Sequence, residues 1–155
     1  MDESLICVIF THGSGLFSRV WSYFCSPEDH VVTRSVVLII DDVDATRTGL
    51  AQLLQLLGYQ TEEAANGAEG LIRLRENPRI GVVVLDLLMP GANGFWFREE
   101  QLKDPEIANV PVIVFTGSDT SDVLTQALKV TEVLHKPVSA DTLCEAVSRY
   151  CQASH

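Results

Sequence analysis

Four apolar segments of the chain each end beside a polar side chain that could take part in chemistry. Asp41 and Asp42 follow the first segment, Asp86 follows the second, Thr116 the third and Lys136 the fourth. If these segments are neighbouring strands of one parallel sheet, the residues just past their carboxyl ends meet at one edge, where open α/β sheets bind ligands. The sequence therefore predicts a pocket with three carboxylates, one hydroxyl and one ammonium group.

The chemistry open to this set follows from its charges. Three carboxylates in a small pocket repel each other, and a small hard cation with oxygen ligands, such as Mg²⁺, relieves that repulsion. An aspartate can attack phosphorus and become an aspartyl-phosphate, while phosphoryl transfer mainly requires positioning and charge neutralisation. Thr116 can donate a hydrogen bond to a phosphoryl oxygen, and Gly117 leaves room for the phosphate donor. The pattern indicates Mg²⁺-dependent phosphoryl chemistry.

These residues lie in four motifs that resemble those of the receiver domains of two-component response regulators. Asp41-Asp42 resembles the acidic pair of that family, and Asp86–Gly94 resembles its phosphorylation loop. Phe115-Thr116-Gly117 is similar to its switch-threonine motif, and Lys136-Pro137 to its lysine–proline pair. The resemblance covers residues 35–151. Each motif alone is weak evidence, whereas all of them in this order are specific.

The resemblance implies a metal site and a phosphoacceptor. Asp86 would accept the phosphoryl group and would also bind Mg²⁺. Asp42 would bind the ion directly, and Asp41 would act through a water molecule. The backbone carbonyl of Leu88 would be a further protein ligand.

The resemblance also implies how phosphorylation is sensed. Thr116 and Lys136 would bind phosphoryl oxygens, and the Lys136-Pro137 peptide would be cis. Two departures from the family pattern concern this step. Val133 stands where receivers usually carry an aromatic residue, and Lys129–Glu132 is shorter than the family segment and lacks its Gly-Ala. The phosphorylation chemistry keeps every group that it needs, and we expect the output to depend on displacement of a loop and a helix.

The pattern along the chain alternates strands with helices. The predicted strands are Val36–Ile40, Tyr59–Ala64, Ile80–Leu85, Val112–Phe115 and Val133–Leu134. The predicted helices begin at Asp44, Asn66, Asn93, Ser118 and Ser139, with Asp44 as a cap and with Asn66 and Glu69 as a capping box. This alternation indicates an α/β fold in three layers, a doubly wound sheet of five parallel strands. The resemblance supplies the flavodoxin-like strand order 2-1-3-4-5.

Length and charge exclude several classes of protein. The 155 residues suit one domain, which we divide into an N-terminal extension of unknown role, residues 1–34, and a receiver domain, residues 35–155. The 21 acidic residues against 11 basic ones give a formal charge of −10, which argues against direct binding to nucleic acid. No apolar stretch approaches the roughly 20 residues that span a membrane. Asp2 and Glu3 argue against a signal peptide, so we expect a cytoplasmic protein without a membrane partner.

The extension, residues 1–34, lies outside the family pattern. It contains a strand-like run, Leu5–Phe10, followed by apolar residues at helical spacing from Leu16 to Phe24. A docking or dimerising helix, an ordered addition to the core and a stretch upstream of the biological start all stay open. Two Cys-x4-His pairs also occur here, and their spacing is wider than that of zinc fingers, so we do not expect a zinc site. These pairs are Cys7 with His12 and Cys25 with His30.

Two classes of function are compatible with these residues. The one that we favour is a phosphoacceptor module, similar to the single-domain chemotaxis regulators, that takes a phosphoryl group from a histidine kinase or a histidine phosphotransfer protein. It would signal through protein contacts and would not be an enzyme beyond its own phosphorylation and dephosphorylation. A stand-alone regulator and a receiver of a hybrid kinase stay open, as do the downstream target and a homodimer.

The alternative is a Mg²⁺-dependent phosphatase of the haloacid-dehalogenase type, which also uses an aspartate nucleophile. Such enzymes need a second aspartate two positions after the nucleophile as a general acid. This chain has Leu88 at that position, and a leucine cannot transfer protons. The sequence therefore favours the signalling module.

Overall fold

In the computed structural model of the chain, the residues that the structure describes are 36–117 and 126–151. They form a parallel five-stranded sheet in the order β2-β1-β3-β4-β5, which confirms the predicted order. The strands are β1 (Val36–Ile40), β2 (Gln60–Ala64), β3 (Ile80–Leu85), β4 (Val112–Thr116) and β5 (Glu132–His135). The helices are α1 (Asp44–Leu56), α2 (Gly67–Glu76), α3 (Gly94–Lys103) and α4 (Ala140–Cys151).

The sheet is covered on both faces, which makes the fold a three-layer α/β sandwich. Side chains of β1 alternate between two buried clusters: Leu38 lies in one with residues of α2 and α3, and Ile39 lies in the other with residues of α1 and α4. The central strand β3 is buried along its whole length, as its continuous apolar sequence predicts for a strand with helices on both sides. The carboxyl ends of β1, β3, β4 and β5 therefore lie at one edge.

Local signals determine where the helices begin, and one of them differs from its prediction. Asn66 caps α2, since its Oδ1 accepts the N–H of Glu69 at 2.9 Å, while the Glu69 carboxylate accepts the N–H of Ala65 at 2.9 Å. The cap at Asn66 is therefore confirmed, whereas the return bond of the capping box differs from the usual pattern, because Glu69 bonds the N–H of the residue before the cap. The predicted cap at Asp44 is wrong, because Val43 occupies the cap position of α1 without a side-chain bond and Asp44 lies in the first turn.

The bounds of β1 and β3 are those predicted, and the other predicted strand ends and the starts of the described helices differ by at most one residue. Thr116 is the last residue of β4, because pairing with β5 extends that strand to Thr116. The helix predicted at Ser118–Lys129 lies mostly outside the described residues; residues 126 and 127 are helical, and a turn follows at 128 and 129. The extension and its Cys-x4-His pairs also lie outside them. Within the described ranges, no helix is long and apolar enough to cross a membrane.

Candidate metal centre

Three carboxylates lie together at the carboxyl ends of β1 and β3. One oxygen from each of Asp41, Asp42 and Asp86 lies within 4.8 Å of the other two. Asp41 is 1% exposed and Asp86 is 8% exposed, whereas Asp42 is exposed to solvent. The cluster arises because β1 and β3 are adjacent and parallel, so that residues just past their ends share one edge.

Asp41 holds the loop that presents Asp42. Its Oδ1 accepts the N–H of Val43 at 2.8 Å, which gives a partner to an N–H at the start of α1 and explains why Asp44 is not needed as the cap. The backbone carbonyl of Asp41 accepts a hydrogen bond from Arg47 Nη1 at 2.8 Å. Hydrogen bonds thus hold the backbone on both sides of Asp42, at the Asp41 carbonyl and at the Val43 N–H.

Arg47 is a part of the site that sequence reasoning missed. Its side chain is 13% exposed; besides the carbonyl of Asp41, it contacts the carboxylates of Asp44 and, through Nε at 3.3 Å, Glu63 on β2. It is the only basic residue of α1. The available signal in the sequence was a single basic residue about one helical turn after the acidic pair. In the structure, the Arg47 guanidinium compensates the negative charge beside the pocket.

Lys136 is the cation of the pocket. Its Nζ lies 2.9 Å from Asp41 Oδ2 and 3.3 Å from Asp86 Oδ2, and it also lies 4.9 Å from the centroid of the Phe115 ring. The residue follows β5, and its N–H donates to the Thr116 carbonyl at 2.8 Å. The Lys136-Pro137 peptide is cis, as the resemblance implies.

The carboxylates dominate the electrostatics of Lys136. Burial alone lowers the pKa of the ammonium, but the hydrogen bond with Asp41 and the charge of Asp86 outweigh it, and the pKa lies above its usual range. A raised pKa means that folding favours the protonated form. While its carboxylate partners are charged, the Lys136 ammonium therefore stabilises the fold below the unfolded pKa of roughly 10.4, and this stabilisation is lost as the pH rises through the folded pKa.

The loop after β3 orients Asp86. The N–H of Asp86 donates to the Ile40 carbonyl at 2.9 Å and continues the pairing of β3 with β1. Asp86 Oδ1 accepts the N–H of Leu88 at 3.1 Å, which turns the carboxylate towards the pocket. At the far end of the loop, the Ala92 carbonyl accepts the N–H of Gly67 at 2.8 Å. The Leu88 side chain is 58% exposed, and the role of its carbonyl as a ligand stays a prediction.

Gly94 begins α3 directly against the backbone that carries Asp86. A Cβ at position 94 would lie 2.3 Å from the Asp86 carbonyl oxygen and 2.7 Å from Leu87 Cα. Because both atoms are backbone, we expect Gly94→Ala to displace Asp86 and to lower the free energy of unfolding by about 1–3 kcal/mol. Urea unfolding measures this, and an unchanged midpoint would contradict the close contact. Gly49→Ala is the control: a Cβ there meets nothing within 4 Å, so we expect a gain of roughly 0.5–1 kcal/mol.

Thr116 lies at the same edge of the sheet. It is fully buried, it is paired in register with His135 of β5, and its carbonyl accepts the N–H of Lys136. Val133, two residues before His135, is half-buried and packs against the cluster on the α2 and α3 face. The position at which receivers usually carry an aromatic residue is filled here by a small, half-buried side chain.

The residues of the pocket fit a hard divalent cation. All the acidic donors are carboxylate oxygens, three negative charges face the single ammonium of Lys136, and Asp42 opens the cluster to solvent. Mg²⁺ is usually bound through one or two carboxylates and keeps several water molecules. The donor set therefore suits a partly hydrated Mg²⁺ ion, which would neutralise the pocket.

Comparison with known proteins agrees with this geometry. The family model described as "Response regulator receiver domain" matches residues 37–148. Protein PilH of Pseudomonas aeruginosa is 33% identical over 114 residues, which cover 72% of this chain and 93% of PilH. Sporulation initiation phosphotransferase F of Bacillus subtilis is 33% identical over 119 residues, covering 74% of this chain and 91% of that protein.

Solved structures give the same result. The chemotaxis protein CheY4 of Vibrio cholerae matches with a TM-score of 0.69 and 29% identity, over 75% of this chain and 98% of CheY4. The chain therefore belongs to the response regulator receiver family, and its function is that of a phosphoacceptor receiver domain in two-component signalling. Nothing in these comparisons supports the haloacid-dehalogenase alternative.

Proposed function

We propose that Asp86 of this receiver domain accepts a phosphoryl group from a phosphohistidine with the help of Mg²⁺, and that the protein signals through contacts with another protein. The observation that carries the proposal is the position of the Lys136 ammonium. It lies within 3.3 Å of Asp86 and 2.9 Å of Asp41, beside three clustered carboxylates. A nucleophilic carboxylate, a cation site and an ammonium beside that carboxylate are the groups that phosphoryl transfer to an aspartate requires.

The transfer forms one bond and breaks one. A carboxylate oxygen of Asp86 attacks phosphorus, the P–N bond of the phosphohistidine breaks, and its electron pair stays on the imidazole. Asp42 and Asp86 would hold Mg²⁺ directly and Asp41 would hold it through a water molecule, and the ion would supply positive charge for the phosphoryl oxygens. Lys136 would exchange its contact with Asp86 for one with a phosphoryl oxygen. Thr116, at the end of the neighbouring strand, would donate its hydroxyl to another.

The partners of the proposal follow from this chemistry. The donor is a histidine kinase or a histidine phosphotransfer protein, since the acceptor is an aspartate of a receiver domain. We propose that the protein catalyses only its own phosphorylation and dephosphorylation, acts in the cytoplasm and is read by a protein target. The formal charge of −10 makes nucleic acid an unsuitable direct target.

Acetyl phosphate tests the proposal without a partner protein. Incubation with Mg²⁺ should add the mass of one phosphate to the intact protein, and EDTA should prevent the addition. Hydroxylamine should remove the phosphate, because an acyl phosphate is cleaved by this nucleophile while a phosphoserine is not. No mass increase, or a label that forms in EDTA, would contradict the proposed function.

Asp42 provides a separate test of the metal site. Its side chain is exposed, so Asp42→Asn should remove a ligand without loss of the fold. We expect the affinity for Mg²⁺ to fall at least 10- to 100-fold, the approximate cost of losing even an outer-shell partner of a metal site. Isothermal titration calorimetry measures the affinity. Asp44→Asn is the matched control, since Asp44 lies nearby but outside the cluster and should change the affinity little.

A further inference from the structure

Arg98 of α3 is a buried cation that lies outside the pocket. It is 5% exposed, and its guanidinium donates to three neutral acceptors. Nε donates to the Leu128 carbonyl at 2.9 Å, Nη2 to the Lys129 carbonyl at 2.7 Å, and Nη1 to Gln101 Oε1 at 2.8 Å. Within the described parts of the chain, Arg98 forms no ion pair with an acid.

The acceptors of Arg98 lie where the helical residues before β5 end. Leu128 and Lys129 form a turn directly after helical residues 126 and 127, and Lys129 has a left-handed backbone with φ of 48°. Carbonyl groups at the end of a helix lack intrahelical partners and carry partial negative charge. The planar guanidinium of Arg98 satisfies two of them, at the place where this chain is shorter than its family pattern.

Gln101 extends the network to the other end of the same unit. It is fully buried, and its amide nitrogen donates to the carbonyls of Ile107 at 3.0 Å and Val110 at 3.1 Å, in the segment before β4. The entrance to β4 and the entrance to β5 are thus both bonded to α3. Two further bonds join them directly: the Val112 N–H donates to Thr131 Oγ1 at 3.1 Å, and the Thr131 N–H donates to the Val112 carbonyl at 2.9 Å.

α3 is fixed to the phosphoacceptor loop at its other end. Gly94 begins the helix, and its N–H lies 3.3 Å from the Leu87 carbonyl. The contact is close enough to exclude a Cβ at this position. Burial lowers the pKa of Arg98, but an arginine remains charged, so this cation is held in place by its hydrogen bonds and not by a switchable charge. α3 therefore connects the backbone beside Asp86 rigidly to the turn at Leu128–Lys129.

We propose that Arg98 makes this turn a fixed pivot, so that a rearrangement that starts at Thr116 on phosphorylation ends at Leu128–Lys129 and does not reach the start of β5. The proposal rests on the proposed function, since it needs a phosphoryl group at Asp86. The hydrogen bonds of Arg98 would explain why the response to phosphorylation stays local. The turn can rotate about the guanidinium, but it cannot move away without leaving a buried cation and two carbonyl groups unpaired.

Assigned ¹H–¹⁵N spectra with Mg²⁺, recorded with and without beryllofluoride as a phosphoryl mimic, test the pivot. In the parent protein, we expect the Gly117 amide to shift. The amides of Val130, Thr131 and Val112 should change no more than that of Thr61 on the opposite edge of the sheet. In Arg98→Met, which keeps an apolar chain of similar length, the changes at Val130, Thr131 and Val112 should become several-fold larger.

Control variants separate the pivot from a general loss of packing. Arg75→Met removes an arginine that is 49% exposed and pairs with Asp104 on the surface, and it should keep the parental pattern. Arg98→Lys keeps the charge without the forked geometry, so it should give intermediate changes at Thr131. Beryllofluoride binding itself should be unchanged in every variant, since Arg98 does not line the pocket.

The outcomes are distinct. If the parent fails to bind beryllofluoride, the proposed function is wrong. If the parent binds it and Thr131 shifts as much as Gly117, the pivot is wrong, whether or not any variant folds. A parental pattern in folded Arg98→Met, or loss of beryllofluoride binding in it, would also overturn the pivot.

Discussion

Asp86→Asn should abolish phosphorylation by acetyl phosphate. The carboxylate oxygen is the nucleophile, and an amide oxygen at the same place is far less nucleophilic and carries no charge for Mg²⁺. Because Asp86 follows the central strand and its Oδ1 and Oδ2 are already oriented by Leu88 and Lys136, the substitution should change chemistry more than structure. Intact-protein mass spectrometry should detect no phosphate on the variant.

The control for Asp86→Asn is the same substitution at an aspartate outside the pocket. Asp141 lies in the first turn of α4 and is exposed, and Asp141→Asn should be labelled like the parent. Circular dichroism and thermal unfolding should show both variants folded. A phosphate that is still present on folded Asp86→Asn would place the nucleophile elsewhere, and labelling lost equally in the control would show that the loss is not specific to Asp86.

Lys136→Ala should uncouple phosphorylation from the conformational response. The ammonium is the group that can leave Asp86 for the phosphoryl group, so without it the label should form but the amides after Thr116 should stay near their unphosphorylated positions. A ligand shifts a conformational equilibrium only through contacts that differ between the two states. The contact of the Lys136 ammonium differs in this way, because it is made with Asp86 before phosphorylation and would be made with the phosphoryl group afterwards. Spectra with beryllofluoride measure the response. Equal shifts in variant and parent would contradict this role.

The same substitution should make stability depend more strongly on Mg²⁺. Asp41 is 1% exposed, and without Lys136 its carboxylate loses a charged partner, at a cost of roughly 1–3 kcal/mol. Mg²⁺ can take over the neutralisation, so the increase in melting temperature on adding the ion should be larger in the variant than in the parent. Lys103→Ala is the control, because Lys103 is 59% exposed and pairs with Glu99 and Glu100 on the surface, where an ion pair contributes little.

Arg47 and Arg98 make contacts with the backbone that one sequence could not reveal. Each is a long side chain whose partners include backbone carbonyl groups, and a carbonyl has no signature in the sequence. The acceptors of Arg98 lie 30 and 31 positions away along the chain, and only the packing of α3 beside the entrance to β5 brings them within reach. Likewise, Lys136 Nζ lies closer to Asp41, at 2.9 Å, than to Asp86, at 3.3 Å. So small a difference between two distances has no signature in the sequence.

The sequence by itself determined the fold class and the composition of the pocket. A continuous apolar run such as Ile80–Leu85 is stable only between two covered faces, and parallel strands bring the residues after their ends to one edge. The tertiary structure decided how those residues are held: Asp41 rather than Asp44 satisfies the start of α1, Thr116 joins β4, and Arg98 fixes the turn before β5. The physical reason is the separation along the chain over which each interaction acts. Strand and helix periodicity acts between near neighbours, whereas a buried polar group takes whichever partner the completed packing places beside it.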